Sequence, residues 1–565
     1  MIPTKYPVDI SKVTYQPTIC SISSTIFLSI PSLALLALVP VYRHKILNTV
    51  YCVFVPNYHL YARSVFAMAL VTKADIRLHL LCIFFAIGSF VWGYNVGVLS
   101  SVLVHPGFIE AIGHLTPSRK GVITAIYYLG TWLSYIFISH PASDLLGRRH
   151  AALAGILTVA IGNAFECGAT GSGAYAMMII GRIISGIGVG MLSTSVPLYQ
   201  SEVAPAGKRG KYVVLNHVGF VGGLAVGFWV GYAVTFWSTT EYDVYVSWRV
   251  SLAAVLVPCS IFGVGLPFLP ETPRWLIEHG HYDAAHKSLL WLRDGSFTEA
   301  EIDAELMHIR EDVETHHISG EANWLSLFRD RSLFERLWRA SLLQFMAQMC
   351  GATAMKYYLP TLFAKLGLPT RVTLLAGGIE STLKIGMTII EMYLIDRLGR
   401  RVTLTAGCLA MGVSMLVNGV LGQVYPGNTN KSADVVCIVF IFIYALGYSM
   451  GFGPAAWVYG SEIFPTSVRA RGLNFSASGG AIGSIVVAQV WPVGIDTIGS
   501  NIYFFFMGVN FVCIPIIILF YPETKGRPLE DMDLLFNKAV GQLGQDVDEH
   551  SEPVLPKNVR HSSQG

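Results

Sequence analysis

Charge is the scarcest thing in this sequence: 13% of its 565 residues are Asp, Glu, Lys or Arg, against about 25% in an ordinary soluble domain. Set beside 53% hydrophobic residues, that shortage argues against water as the main solvent and points to a lipid bilayer. The net charge of +3 comes without a basic stripe interleaved with aromatics, which sets nucleic acid aside. Clustered cysteines are missing too. Cys20, Cys52, Cys82, Cys167, Cys259, Cys350, Cys408, Cys437 and Cys513 stand singly, mostly in apolar windows, with no CxxC. They read as small packing residues. HExxH and GxxxxGK are absent, and the single GxSxG, Gly447-Tyr-Ser-Met-Gly451, lies within a long apolar window rather than at a strand-to-helix turn, so no motif supports a metalloprotease, an ATP-driven pump or a serine hydrolase. No metal or cofactor is implied, and any transport would draw its energy from gradients.

What the sequence has instead is long windows almost free of charge. His79 to Val104, Ser251 to Leu269, Asp434 to Tyr459 and Asn501 to Tyr521 each approach the roughly 20 apolar residues that span a bilayer. Counting such windows from residue 79 predicts about twelve helices, six on either side of a polar stretch at 270–335. That stretch holds Glu299, Glu301, Asp303, Glu305, Arg310, Glu311 and Asp312, and reads as a solvated connector with short surface helices. The two halves repeat. Asp144-Leu-Leu-Gly-Arg-Arg149 returns as Asp396-Arg-Leu-Gly-Arg-Arg401, and Pro270-Glu-Thr272 as Pro522-Glu-Thr524, both displaced by 252 residues. Ser201-Glu202, Pro205 and Arg209 return as Ser461-Glu462, Pro465 and Arg469 at an offset of 260. The pattern is that of a duplicated transporter.

Arg148, Arg149, Lys208, Arg209, Lys211, Arg397, Arg400, Arg401, Arg469 and Arg471 fall on one side when the windows are threaded in order. By the excess of Lys and Arg in inner loops, that side is cytoplasmic, and both chain ends face it. The expected location is the plasma membrane. Residues 1–75 stand outside the duplication. Their apolar run at 26–41 contains Pro31 and Pro40, and leaves open either a loosely ordered appendage or an extra anchor helix.

Further motifs fall within the helices and at their ends. These are Gly93-Tyr-Asn-Val-Gly97, Gly181-Arg182 with Gly186, Gly188 and Gly190, Pro197-Leu-Tyr-Gln-Ser-Glu202, Pro270-Glu-Thr-Pro-Arg-Trp275 and Pro522-Glu-Thr-Lys-Gly-Arg527. In this order they resemble the sugar porter family of the major facilitator superfamily over about residues 79–535. The resemblance implies an all-α membrane protein with twelve transmembrane helices. Its two six-helix halves would be residues 79–269 and 336–521, joined by the 270–335 linker and followed by a cytoplasmic tail at 522–565. It implies carriage of a sugar, polyol or sugar acid. Proton-coupled members commonly carry Asp where this chain has Asn95, which makes facilitated diffusion the expectation, with proton coupling the open alternative.

Physical chemistry adds roles. Asp144, Arg148, Arg149, Glu202 and Arg209, with Asp396, Arg400, Arg401, Glu462 and Arg469, can pair at helix ends and latch the halves; alternatively they only fix loops. Arg182 inside a span needs a partner. The glycines around it suit close helix packing better than dinucleotide binding. Trp457, after Gly451, Gly453 and Pro454, offers a stacking face for a sugar, and is otherwise an interfacial aromatic. The resemblance also assigns substrate contacts to Asn95, His217, Gln348, Thr353, Tyr357, Tyr358 and Lys384. Several of these depart from the family's amides: Ala347 and Gly480 lack one, Thr353 replaces Asn, and His217 replaces Gln. His217 and Lys384, with Lys356 nearby in sequence, make the site cationic enough for a carboxylate. The alternative pairs Lys384 with Glu380 or Glu391 on its own helix. A transporter-like nutrient receptor is the rival to a carrier, and such a receptor would be expected to carry a longer tail after Phe536. A membrane enzyme finds no paired catalytic constellation.

Overall fold

A computed structural model describes residues 73–525, apart from residues 114, 206–208, 238–239, 296, 319–325, 427–428 and 466–467. The expectations for the N-terminal extension, and for the tail beyond residue 525, lie outside the described residues. In a bilayer every backbone N–H and C=O has to be paired within the protein, so apolar segments of this length fold as helices. The described residues do so throughout.

The first half holds α1 (Lys73–Val102), a short α2 (Pro106–Ile112), α3 (Pro117–Leu145), α4 (Arg148–Cys167), α5 (Ala174–Val203), α6 (Arg209–Ala233) and α7 (Glu241–Phe268). The linker folds as α8 (Pro273–Glu278), α9 (Tyr282–Arg293) and α10 (Glu299–Ile318). The second half is α11 (Arg331–Met349), α12 (Ala352–Tyr357), α13 (Leu359–Lys365), α14 (Thr370–Leu398), α15 (Arg400–Val424), α16 (Lys431–Met450), α17 (Phe452–Ile463), α18 (Arg469–Thr497) and α19 (Asn501–Phe520).

Among the described residues, eleven segments are long and apolar enough to cross a membrane. The twelfth crossing is the interrupted run α11–α13. Gly351 at φ 103° breaks it, a conformation that disfavours any residue with a Cβ. Other irregularities sit where sequence forces them: Pro197 within α5, Pro492 within α18, Pro515 within α19, and a π-helical turn at Ser134–Ile138 in α3. Large apolar side chains such as Phe137, Val264 and Leu519 point outward from the bundle, as a lipid-facing surface requires.

The glycines of α5 serve two neighbours. A Cβ on Gly186 would lie 2.1 Å from the Tyr127 carbonyl oxygen on α3, and one on Gly188 would lie 2.6 Å from the Gly155 carbonyl oxygen on α4. Only glycine permits both approaches. The two halves meet along two seams, α3 against α18 and α6 against α14.

Candidate functional site

The duplicated motifs build the same charged node twice. In the first half Arg148 Nη2 lies 2.9 Å from Glu202 Oε1 and Nη1 lies 3.7 Å from Asp144. Thr272 Oγ1 donates to Glu202 at 2.6 Å. In the second, Arg400 Nη2 lies 2.5 Å from Glu462 and 3.0 Å from Asp396, and Thr524 Oγ1 donates to Glu462 at 2.7 Å. Each node also fixes a helix start. Glu271 accepts the backbone N–H of Arg149 at 3.1 Å, and Glu523 accepts those of Arg400 and Arg401 at 2.9 and 3.0 Å. The first N–H groups of a helix lack internal partners and attract a carboxylate. Gly147 (φ 88°) and Gly399 (φ 93°) admit these carboxylates, because a Cβ on either would lie 2.6 Å from the carboxylate oxygen. That contact explains why the Gly-Arg-Arg and Pro-Glu-Thr runs recur together at one offset.

These bonds run inside each half. The Arg149 guanidinium donates to the Leu269 carbonyl at 2.6 Å, Arg401 donates to the Ile518 carbonyl, and Arg469 donates to the Phe464 carbonyl at 3.2 Å. The Arg209 side chain lies outside the described residues. A bond between halves at this end is made instead by Arg471 Nε and His140 Nε2, 2.9 Å apart, with His140 also 3.2 Å from Asp144. Among the described residues, the Arg148–Glu202 and Arg400–Glu462 pairs of the charged motifs thus form a clamp within each half in this conformation. Arg471 was visible only as a loop cation.

Arg182 and Glu166 form an ion pair at 3.7 Å, with both side chains fully buried, and the guanidinium stands 4.1 Å from the centre of the Tyr127 ring. Glu166 on α4 is thus the partner that Arg182 needs inside the span. Asn95 is itself buried, its amide donating to the Val91 carbonyl at 3.1 Å.

Between the halves lies a cavity of about 480 Å³, mouth included. It is lined by Ser89, Trp92, Ser193, Pro197, Asn216, His217 and Phe220 from the first half and by Pro454, Trp457 and Val458 from the second. Ser89 and Trp92 lie near the middle of α1, and the other lining residues fall between the middle of their helices and the basic end. Bends hold it open. Pro197 deprives α5 of one rung at Ser193, and the Gly451–Pro454 stretch separates α16 from α17. Trp457 meets Trp92 edge to face at 6.4 Å across the gap. One wall is a polar chain: Ser89 donates to Asn216 (2.9 Å), Asn216 to Gln200 (2.5 Å), and Gln200 to the Cys82 carbonyl (2.7 Å). The opposite end is closed by bonds between halves. These include Ser100 to the Lys356 carbonyl at 2.6 Å, Tyr358 to Thr124 at 3.1 Å and Arg371 to the Thr235 carbonyl at 3.0 Å.

Of the residues expected to touch substrate, His217 and Trp457 line this cavity. Gln348 and Thr353 join each other (3.1 Å) and Ser484 in a polar cluster on α11, α12 and α18. Tyr357 and Tyr358 are buried on the closed side, and Lys384 Nζ lies 2.5 Å from Glu380. Ser89, Trp92 and Asn216 were not read from the sequence. A small polar residue or a lone Trp in an apolar run carries no periodic signal.

Residues 81–536 match the family model described as "Sugar (and other) transporter". The chain belongs to this family. It is 30% identical over 486 residues to the sugar transport protein MST3 of Oryza sativa subsp. japonica, a match covering 82% of this chain and 91% of the relative. It is 31% identical over 465 residues to a quinate permease of Neurospora terricola, covering 79% and 86%. Among solved structures, the proton:xylose symporter XylE bound to 6-bromo-6-deoxy-D-glucose matches with a TM-score of 0.69 at 23% identity, covering 81% of this chain and 99% of that one. That likeness is one of fold. Like the rest of the sugar transporter family, the chain is a multi-pass membrane transporter of the major facilitator fold for sugars or related solutes.

Proposed function

We propose that the chain carries a hexose, pentose, polyol or sugar acid by alternating access, with residues 79–269 rocking against residues 336–521 around the cavity at His217 and Trp457. The observation that carries this reading is that each half supplies one wall of the cavity, so a tilt of one half against the other opens or closes it. The 270–335 linker and both chain ends belong on the cytoplasmic side in this reading, because the basic loops cluster there, and the plasma membrane is the proposed location. Trp457 supplies an apolar face and an indole donor, and the Ser89–Asn216 chain supplies directional partners for hydroxyls. Asn95, which cannot titrate, supports downhill transport. The buried Glu166–Arg182 pair supports a second reading, proton symport, because a buried carboxylate is a natural proton carrier.

Uptake of labelled solutes by liposomes holding the purified chain tests this. Without a proton gradient, downhill transport levels off at the external concentration, and accumulation driven by an imposed gradient would favour the symport reading. Trp457→Ala should weaken half-saturation about tenfold with unchanged protein yield. Parental affinity in that variant moves the site elsewhere, and binding without uptake indicates a receptor.

A further inference from the structure

Resting on the cavity assigned above, we infer that the transported solute carries a carboxylate, and that Lys356 is the cation that receives it. Lys356 lies on α12, just past the break at Gly351, with its side chain more than nine-tenths buried. Its ammonium touches the amide oxygen of Gln348 at 3.4 Å and stands 5.8 and 5.1 Å from the centres of the Phe220 and Tyr448 rings. Among the described residues no carboxylate pairs with it.

The charge count around it is uneven. Lys384 is neutralised by Glu380, and Arg182 by Glu166, which leaves Lys356, among the described residues, as a buried cation of this region with no carboxylate paired to it. Aromatic faces and one amide oxygen offset only part of what an ammonium loses on leaving water. A charge kept unpaired at mid-membrane depth marks a functional group, with its partner supplied from outside the fold.

The position fits that partner. Phe220 lines the cavity and carries Lys356 at its ring, so the ammonium sits one side chain behind the wall. His217 packs at 5.9 Å from the Phe220 ring. Gly453 leaves room for its imidazole, because a Cβ there would come within 3.0 Å of Nε2. A neutral aldose would satisfy Ser89, Asn216 and His217 and leave Lys356 uncompensated when the cavity closes. A polyhydroxy monocarboxylate, such as an aldonate, a uronate or a cyclic hydroxy acid, satisfies the same hydroxyl partners and neutralises the ammonium. Lys384 cannot take that role while Glu380 holds it.

The experiment compares entry of radiolabelled gluconate, galacturonate and quinate with that of glucose, xylose and sorbitol into liposomes containing the full chain. The acids should enter at least about tenfold faster than the neutral solutes. Lys356→Gln should reduce acid entry by about tenfold or more, and Lys356→Arg should retain most of it, with both variants melting in detergent like the parent. Neutral solutes entering as fast as acids, or acid entry unchanged in Lys356→Gln, overturns the inference while leaving the carrier reading intact. Entry of none of the six overturns the carrier reading itself. The selectivity of the parent chain decides the matter even if Lys356→Gln fails to fold.

Discussion

A single lysine in a span can bind a ligand or merely balance a neighbour, and Lys384 shows which observation separates the two. Its ammonium meets Glu380 one turn back at 2.5 Å, and both side chains are buried. Lys384→Gln should therefore leave a carboxylate stranded at low dielectric and destabilise the protein by about 3–5 kcal/mol, whatever the solute. Lys384→Gln with Glu380→Gln should recover most of that loss, because an amide pair carries no net charge to strand. Thermal unfolding of the three variants in detergent measures it. A double variant no more stable than the single one would remove the ion pair from the account. Lys384 was readable as either kind because charge and helical spacing are visible in sequence, whereas the turn of α14 that aims it is not. Trp92 lay beyond reach for a related reason: its meeting with Trp457 depends on how two distant helices cross.

Helix ends were far more legible than cavity walls. The repeated Gly-Arg-Arg and Pro-Glu-Thr runs stood out because the same contact is built twice at one offset, and a carboxylate at a helix start needs fixed residues at fixed spacing. The break in the seventh crossing was harder to see, since Gly351 is one glycine among 55 and only its positive φ makes it decisive. The two carboxylates of the repeat differ in environment. Burial pushes the Glu271 carboxyl upward, against the N–H groups of Thr272 and Arg149. Burial acts on Glu523 in the same sense, but the N–H groups of Arg400, Arg401 and Lys525, with the Arg400 charge, outweigh it and hold that carboxyl below its ordinary 4.5. A carboxyl depressed in the folded state stabilises above its unfolded value, and that contribution is lost as pH falls through the folded one. Glu523→Gln should thus lower stability by about 1–2 kcal/mol at neutral pH, with the gap closing once the pH drops below 4.5. Glu271→Gln should cost less at neutral pH, because the neutral amide resembles the form that burial already favours. Melting curves of both variants from pH 7 to pH 4 would show the contrast, and equal, pH-independent losses would count against it.

For the whole molecule, the question is what holds the halves in the observed arrangement. The charged nodes do not, since Arg148–Glu202 and Arg400–Glu462 each stay within one half. The end opposite the basic loops is joined by several bonds, among them Ser100 to the Lys356 carbonyl, Tyr358 to Thr124 and Gln489 to Ser118. At the basic end, Arg471 reaches His140 at 2.9 Å. The cavity lies toward that end, where Thr194 also donates to Asn474 across the halves at 2.6 Å, so the Arg471 bond is one of the contacts that restrain opening there. A hydrogen bond from a charged donor is worth about 1.5 kcal/mol, or roughly tenfold in a two-state ratio. Arg471→Ala should therefore shift the population toward the arrangement open at the basic end. A cysteine placed at Ser89 on the cavity wall should then react several-fold faster with a bulky, membrane-impermeant thiol reagent applied from that side. Equal labelling rates in the parent and Arg471→Ala would mean that the seam helices α3 and α18, rather than this polar contact, set the resting state.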